Sequence, residues 1–108
     1  MAGRDHLGEF EQIVLLAVLR LGEGAYGVPI RREIEKRTGR SLTVGALYQT
    51  LDRLVTKGYL KSWFSDPTPE RGGRSKRYFK AQPLALRALR ESRNALDAMW
   101  EGLTTHEP

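Results

Sequence analysis

From Glu9 to Leu21, apolar residues return at three- and four-residue steps: Phe10, Ile13, Val14, Ala17, Val18 and Leu21. That spacing predicts a helix. Leu15, Leu16 and Leu19 extend the apolar stripe nearly all round, so the helix needs cover from its own domain and also from a second chain. Gly22 and Gly24 stop it. The next segment opens at Tyr26-Gly27-Val28-Pro29, where proline suits a first helical turn, and ends at Thr38-Gly39. Its one apolar edge is Ile30 and Ile34. Arg31, Arg32, Glu33, Glu35, Lys36 and Arg37 read first as a solvated surface, with phosphate contact as the lesser option.

A third helix follows. Thr43 suits an N-cap, Leu47, Leu51, Leu54 and Val55 form the apolar row, and Gly58 suits the C′ position. With the leucines inward, Thr43, Gly45, Ala46, Gln49 and Arg53 project outward and Tyr48 lies at the boundary. Those small and hydrogen-bonding side chains allow close approach to base edges and phosphates. The pattern then changes to alternation over Tyr59 to Ser65 and Lys76 to Ala81, predicting two strands. Two prolines and two glycines in Asp66 to Ser75 keep the connection irregular. A helix followed by a β-hairpin, with Arg71, Gly72, Gly73, Arg74, Lys76 and Arg77 in or beside its loop, suits a major groove and the adjoining phosphate backbone.

Pro83 starts a last helix running to about Leu103, with Leu89, Leu96 and Leu103 spaced by seven and Leu86 and Trp100 alongside. Ser92 and Arg93 interrupt the stripe. Beyond the hairpin this helix is expected to find little of its own domain to pack on. It is therefore read, with Phe10 of the first helix, as a dimerisation surface carrying Leu89, Leu96, Trp100 and Leu103. Trp63 is expected to pack between hairpin and helices, and Trp100 between subunits, where it could also wall a cavity for a small apolar or aromatic effector.

Length and charge narrow the picture. The 108 residues suit one core with two parts: residues 7–82 as the winged domain and residues 83–103 as the dimerisation helix. Lys and Arg total 18 against 13 acids, a net charge of +5, which favours polyanionic partners. Lys57 to Lys80 holds seven basic and two acidic residues, a balance equal to the net charge of the whole chain. The longest apolar run, Ile13 to Leu19, is too short to span a bilayer and the start carries no signal-peptide pattern; a cytoplasmic protein is expected.

Catalysis has little support. Cysteine is absent, His6 and His106 lie in the ends, and the acidic residues are spread among Lys and Arg, so no nucleophile, paired carboxylates or metal cluster stand out. Gly72-Gly-Arg-Ser75 lacks the spacing and context of a Walker loop. No enzymatic activity, metal or cofactor is expected.

Several segments together resemble the PadR family of bacterial winged-helix transcriptional regulators, in its short form with one C-terminal helix. They are Glu11-Gln-Ile-Val-Leu-Leu-Ala-Val-Leu19, Tyr26-Gly27, Gly45-Ala-Leu-Tyr-Gln-Thr-Leu-Asp-Arg-Leu54, Gly58-Tyr-Leu60 and Gly73-Arg-Ser-Lys-Arg-Tyr-Phe79. The resemblance spans about Leu7 to Leu103. It implies a mostly helical α+β fold, a winged helix-turn-helix with a C-terminal dimerisation helix. It also implies a homodimer that binds an inverted-repeat operator in double-stranded DNA, usually as a repressor, with release by a small molecule in some members. Thr43, Ala46, Tyr48, Gln49 and Arg53 match positions where the family's recognition helix meets DNA, and Arg74, Lys76 and Arg77 those of its wing. The family commonly has Thr-x-x-Gly after the second wing strand, where this chain has Gln82-Pro-Leu-Ala85. The alternative from another class is a ligand-sensing or protein-interaction module that keeps the winged-helix shape without specific DNA binding.

Overall fold

In the computed structural model, which describes residues 7–65 and 75–103, the chain runs through α1 (Glu9–Leu21), α2 (Gly27–Thr38), α3 (Val44–Thr56), β1 (Leu60–Phe64), β2 (Arg77–Ala81) and α4 (Pro83–Trp100). A single 3₁₀ turn, Gly22–Gly24, links α1 to α2. Helix periodicity located the helices well because each has a local stop. Gly22 and Gly39 take positive φ just after α1 and α2, and Gly58 does so one residue past the cap of α3. The strands are each a little shorter than the alternation suggested, and α4 ends at Trp100, short of Leu103.

The core gathers one stripe from each helix. Val14, Leu15 and Val18 of α1 meet Ile30 and Ile34 of α2, Leu47, Leu51 and Leu54 of α3, and Phe79 of β2. Each such aliphatic side chain contributes about 1.5–3 kcal/mol when fully buried. α1 packs on both α2 and α3, and α3's leucine row lies inward, turning the opposite face to solvent.

β1 and β2 pair antiparallel, Leu60 opposite Ala81 and Phe64 opposite Arg77. The far edge of β2 is partly closed by the chain entering α2. Tyr26 forms a bridge with Tyr78, and the Phe79 N–H donates to the Ala25 carbonyl at 2.9 Å. This third segment was not legible in the alternation, since two residues before a helix carry no strand period. It ties the wing to the start of α2.

α4 leaves the hairpin through Gln82, whose N–H donates to the Tyr59 carbonyl at 2.9 Å and whose carbonyl accepts from the Ala85 N–H at 2.8 Å. That anchor lays the first turns over the core, so Ala85 and Leu89 are buried in the protomer itself. Leu89, expected at a subunit interface, is 6% exposed in the single chain and belongs to the intramolecular core. The expectation of an unpartnered helix holds on the other face, where Leu84 and Leu86 are exposed, and beyond Leu89. There Leu96, Met99, Trp100 and Leu103 are exposed, Trp100 at 58%.

Candidate nucleic-acid interface

The N-terminus of α3 is closed by Thr43, whose Oγ1 accepts the Ala46 N–H at 3.0 Å, an arrangement whose loss costs roughly 0.5–2 kcal/mol. Thr43, Val44, Gly45, Ala46 and Gln49 are exposed on the side away from the leucine row. Tyr48 is half-buried. Its ring lies 6.5 Å from the Phe79 ring, centroid to centroid, and its Oη and Cζ occupy the space that a Cβ on Gly27, at the start of α2, would need. The phenol is held at the seam between α2 and α3.

Arg53, read from the sequence as projecting outward, is exposed but also reaches α1. Its Nε donates to Glu11 Oε2 at 3.0 Å and its Nη2 to Thr50 Oγ1 at 3.3 Å. Lys57 Nζ donates to both oxygens of the same carboxylate, at 3.1 and 2.9 Å, and the Gly8 N–H donates to Oε1 at 2.9 Å. Glu11 is only 6% exposed. Burial alone would raise its pKa, but Lys57, the Gly8 N–H and Arg53 together outweigh that and lower it. One buried carboxylate thus starts α1 and anchors the C-terminal half of α3. The sequence did hold a signal for it: Glu11 lies three, four and seven residues before Val14, Leu15 and Val18, on the buried face.

In the wing, Arg77 is likewise engaged within the protomer. Its Nη1 donates to Asp52 Oδ1 at 2.7 Å, its Nε to Ser62 Oγ at 2.7 Å, and its guanidinium lies 4.9 Å from the centre of the Phe79 ring. Lys76 is exposed, with Nζ 4.6 Å from the Tyr26 ring centre, and makes no ion pair among the described residues. Arg71, Gly72, Gly73 and Arg74 lie outside the described residues. Trp63, expected between hairpin and helices, instead stacks at 6.1 Å on its cross-strand neighbour Tyr78 and stays 43% exposed. The two rings line an open groove of about 650 Å³ beside Leu19 and Gly22. The physical reason is parity: Phe79 and Leu60 occupy the inward side of the hairpin, which puts Trp63 on the other.

On α2, Arg31 pairs with Glu35 at 3.4 Å, whereas exposed Arg32 makes no ion pair among the described residues. Arg32 lines the cleft between α2 and α3 with Val28, Val44 and Tyr48. Phe10 is half-buried against the core. Among the described residues, no His, Asp and Glu cluster is placed to hold a metal ion, and no helix is long and apolar enough to cross a membrane.

Residues 15–84 match the model of the transcriptional regulator PadR-like family. The chain belongs to that family. As a PadR-like protein it is a transcriptional regulator by membership, with the winged-helix fold that its structural neighbours share. A transcriptional regulator from Clostridium thermocellum superposes with a TM-score of 0.71 at 19% identity, covering 91% of this chain and 89% of that one. A PadR family transcription regulator from Clostridium difficile R20291 gives 0.70 at 19% identity, covering 89% and 96%. F93 from STIV, described as a winged-helix DNA-binding protein, gives 0.66 at 16% identity, covering 95% and 100%. No match was found among curated proteins. The PadR-like membership accounts for the α3 and wing motifs; the partners of Glu11 and the Asp52–Arg77 pair emerge from the fold.

Proposed function

We propose that this PadR-like chain is a homodimeric, sequence-specific DNA-binding repressor that reads an inverted-repeat operator, placing α3 in the major groove and the wing on the flanking backbone. The observation that carries this is the two-sidedness of α3. Its leucine row is buried while Thr43, Gly45, Ala46 and Gln49 stand exposed beside a basic hairpin, a surface narrow enough to enter the groove. Gln49 and Thr43 contact base edges, and Ala46 allows the backbone close approach. Tyr48 donates its hydroxyl to a phosphate at the α2–α3 seam, joined by Arg32, Lys76 and Arg74. Arg53 has a supporting role through Glu11.

The second chain covers the exposed end of α4. Leu96, Met99, Trp100 and Leu103 are four large apolar side chains left in solvent on a short stretch, and a symmetric partner copy buries them. Half-sites then fall about one DNA turn apart, roughly 34 Å. A small apolar or aromatic effector between the paired Trp100 side chains would release the operator. The protein acts in the cytoplasm.

The test is fluorescence anisotropy with the duplex just upstream of the protein's own coding region, against a scrambled duplex of equal length at two salt concentrations. Tight, salt-sensitive binding to the first alone supports an operator-binding regulator. Equal weak binding to both, repeated across other fragments of the source genome, favours the ligand-sensing or interaction module instead.

A further inference from the structure

Two of the cations that the sequence points toward DNA are already ion-paired within the protomer, and the Arg77 arrangement has a specific shape. Arg77 opens β2 and Asp52 stands three residues beyond Gln49 on α3. Their 2.7 Å ion pair joins wing to recognition helix, while Ser62 accepts a second guanidinium hydrogen and the Phe79 ring supports its face. Arg77 is only 25% exposed, Asp52 60%. Unpaired, an aspartate one turn from the base-reading part of α3 would repel phosphate. Paired, the junction is neutral and adds little to the attractive field.

We infer that Arg77 is a positioning residue of the wing, held by Asp52, and not a phosphate contact; the pair sets the spacing between the wing cations and α3 and so governs discrimination between operator and other DNA. This rests on the operator-binding reading above. Fixed spacing rewards only duplexes whose phosphates and base edges fall in phase with both elements. A guanidinium freed from Asp52 becomes a mobile cation that strengthens binding to any duplex.

The experiment compares the full chain with Asp52→Asn, Arg77→Gln and the double variant, on operator and scrambled duplexes over a salt series, with thermal unfolding of the same four proteins. For Arg77→Gln the expected result is a loss of operator over scrambled preference of roughly 2- to 10-fold, together with a weaker affinity for both duplexes because Asp52 is left unpaired. Asp52→Asn raises affinity for scrambled DNA and steepens its slope by about one unit. The double variant, neutral again at this junction, regains the general affinity and the wild-type salt slope but keeps the lost preference of Arg77→Gln. Equal losses on both duplexes, with a slope reduced by about one unit, overturn the proposal and make Arg77 a phosphate contact. Additive effects of the two single changes on that preference overturn it as well.

A wild-type protein that never discriminates between duplexes removes the operator reading but still leaves the pair decidable. Coupled losses of Tm in the four-protein cycle support the brace, and additive losses overturn it. If Arg77→Gln does not fold, Arg77→Lys serves: it keeps the charge but loses the two-pronged contact to Asp52 and Ser62, so a brace predicts lost discrimination and a phosphate contact predicts none.

Discussion

Tyr48 of α3 fills the space where Gly27 of α2 would carry a side chain. A Cβ added at Gly27 would lie 2.9 Å from Tyr48 Cζ and closer still to its hydroxyl oxygen. The angle between the two helices of the helix-turn-helix therefore depends on a missing methyl group. Gly27→Ala is expected to push Tyr48 outward and separate α2 from α3, costing about 1–3 kcal/mol. At this chain size that is a fall in Tm of at least about 4 °C, measurable by circular dichroism. An unchanged Tm would mean that the seam yields freely.

Glu11 gives the fold an acid sensitivity of definite sign. Its carboxyl is lowered below the ordinary glutamate value in the folded chain. The stabilisation is thus complete above that ordinary value and is lost as the pH falls from there through the folded value. Glu11→Gln leaves Arg53 and Lys57 without their shared counter-charge and is expected to cost about 1–3 kcal/mol near neutral pH. The difference between variant and wild type should shrink on acidification. Tm curves that run parallel from pH 7 to pH 3 would remove Glu11 from this role.

Base-reading and backbone-binding residues should separate in one assay. On the proposed mode, Gln49→Ala reduces operator affinity by about 1–3 kcal/mol and barely alters binding to scrambled DNA. Lys76→Ala weakens both duplexes alike and flattens the salt slope by about one unit. If both variants behave the same way on both duplexes, Gln49 belongs to the backbone contacts.

The two halves of α4 are expected to fail differently. Leu96→Asp with Trp100→Ala changes side chains exposed in the protomer, so sedimentation should show a folded monomer in place of a dimer. Leu89→Asp places a charge in the protomer's own core and should unfold the chain outright. A double variant that still sediments as a dimer would move the interface elsewhere.

Much of this architecture was legible because it is local. A 3.6-residue period followed by glycine marks α1 and α3, the Thr43 cap acts within one turn, and alternation marks both strands within a residue or two. Partners distant in sequence were not legible. Nothing near Arg53 identifies Glu11, 42 residues earlier, and nothing near Arg77 identifies Asp52, 25 residues earlier. A basic side chain on a surface helix or wing looks unpaired until the fold supplies its acid. Leu89 misled for a related reason. Heptad spacing groups it with Leu96 and Leu103, but the Gln82–Tyr59 tie decides where the helix crosses the core.

Thr43 combines two duties that the rest of α3 keeps apart. The leucine row and Gly58 maintain the helix, while Gly45, Ala46 and Gln49 face solvent and hold nothing together. Those three positions can drift by mutation at little cost in stability, so a lineage can acquire a new target sequence there in single steps. Thr43 cannot follow them freely: its oxygen already accepts the Ala46 N–H, leaving the hydroxyl hydrogen and one lone pair to offer outward. Serine retains both abilities, aspartate and asparagine keep the cap but alter what is presented, and most other replacements give up the start of the helix. Divergence among close descendants of this chain should thus concentrate at 45, 46 and 49, with 43 restricted to a few short polar side chains.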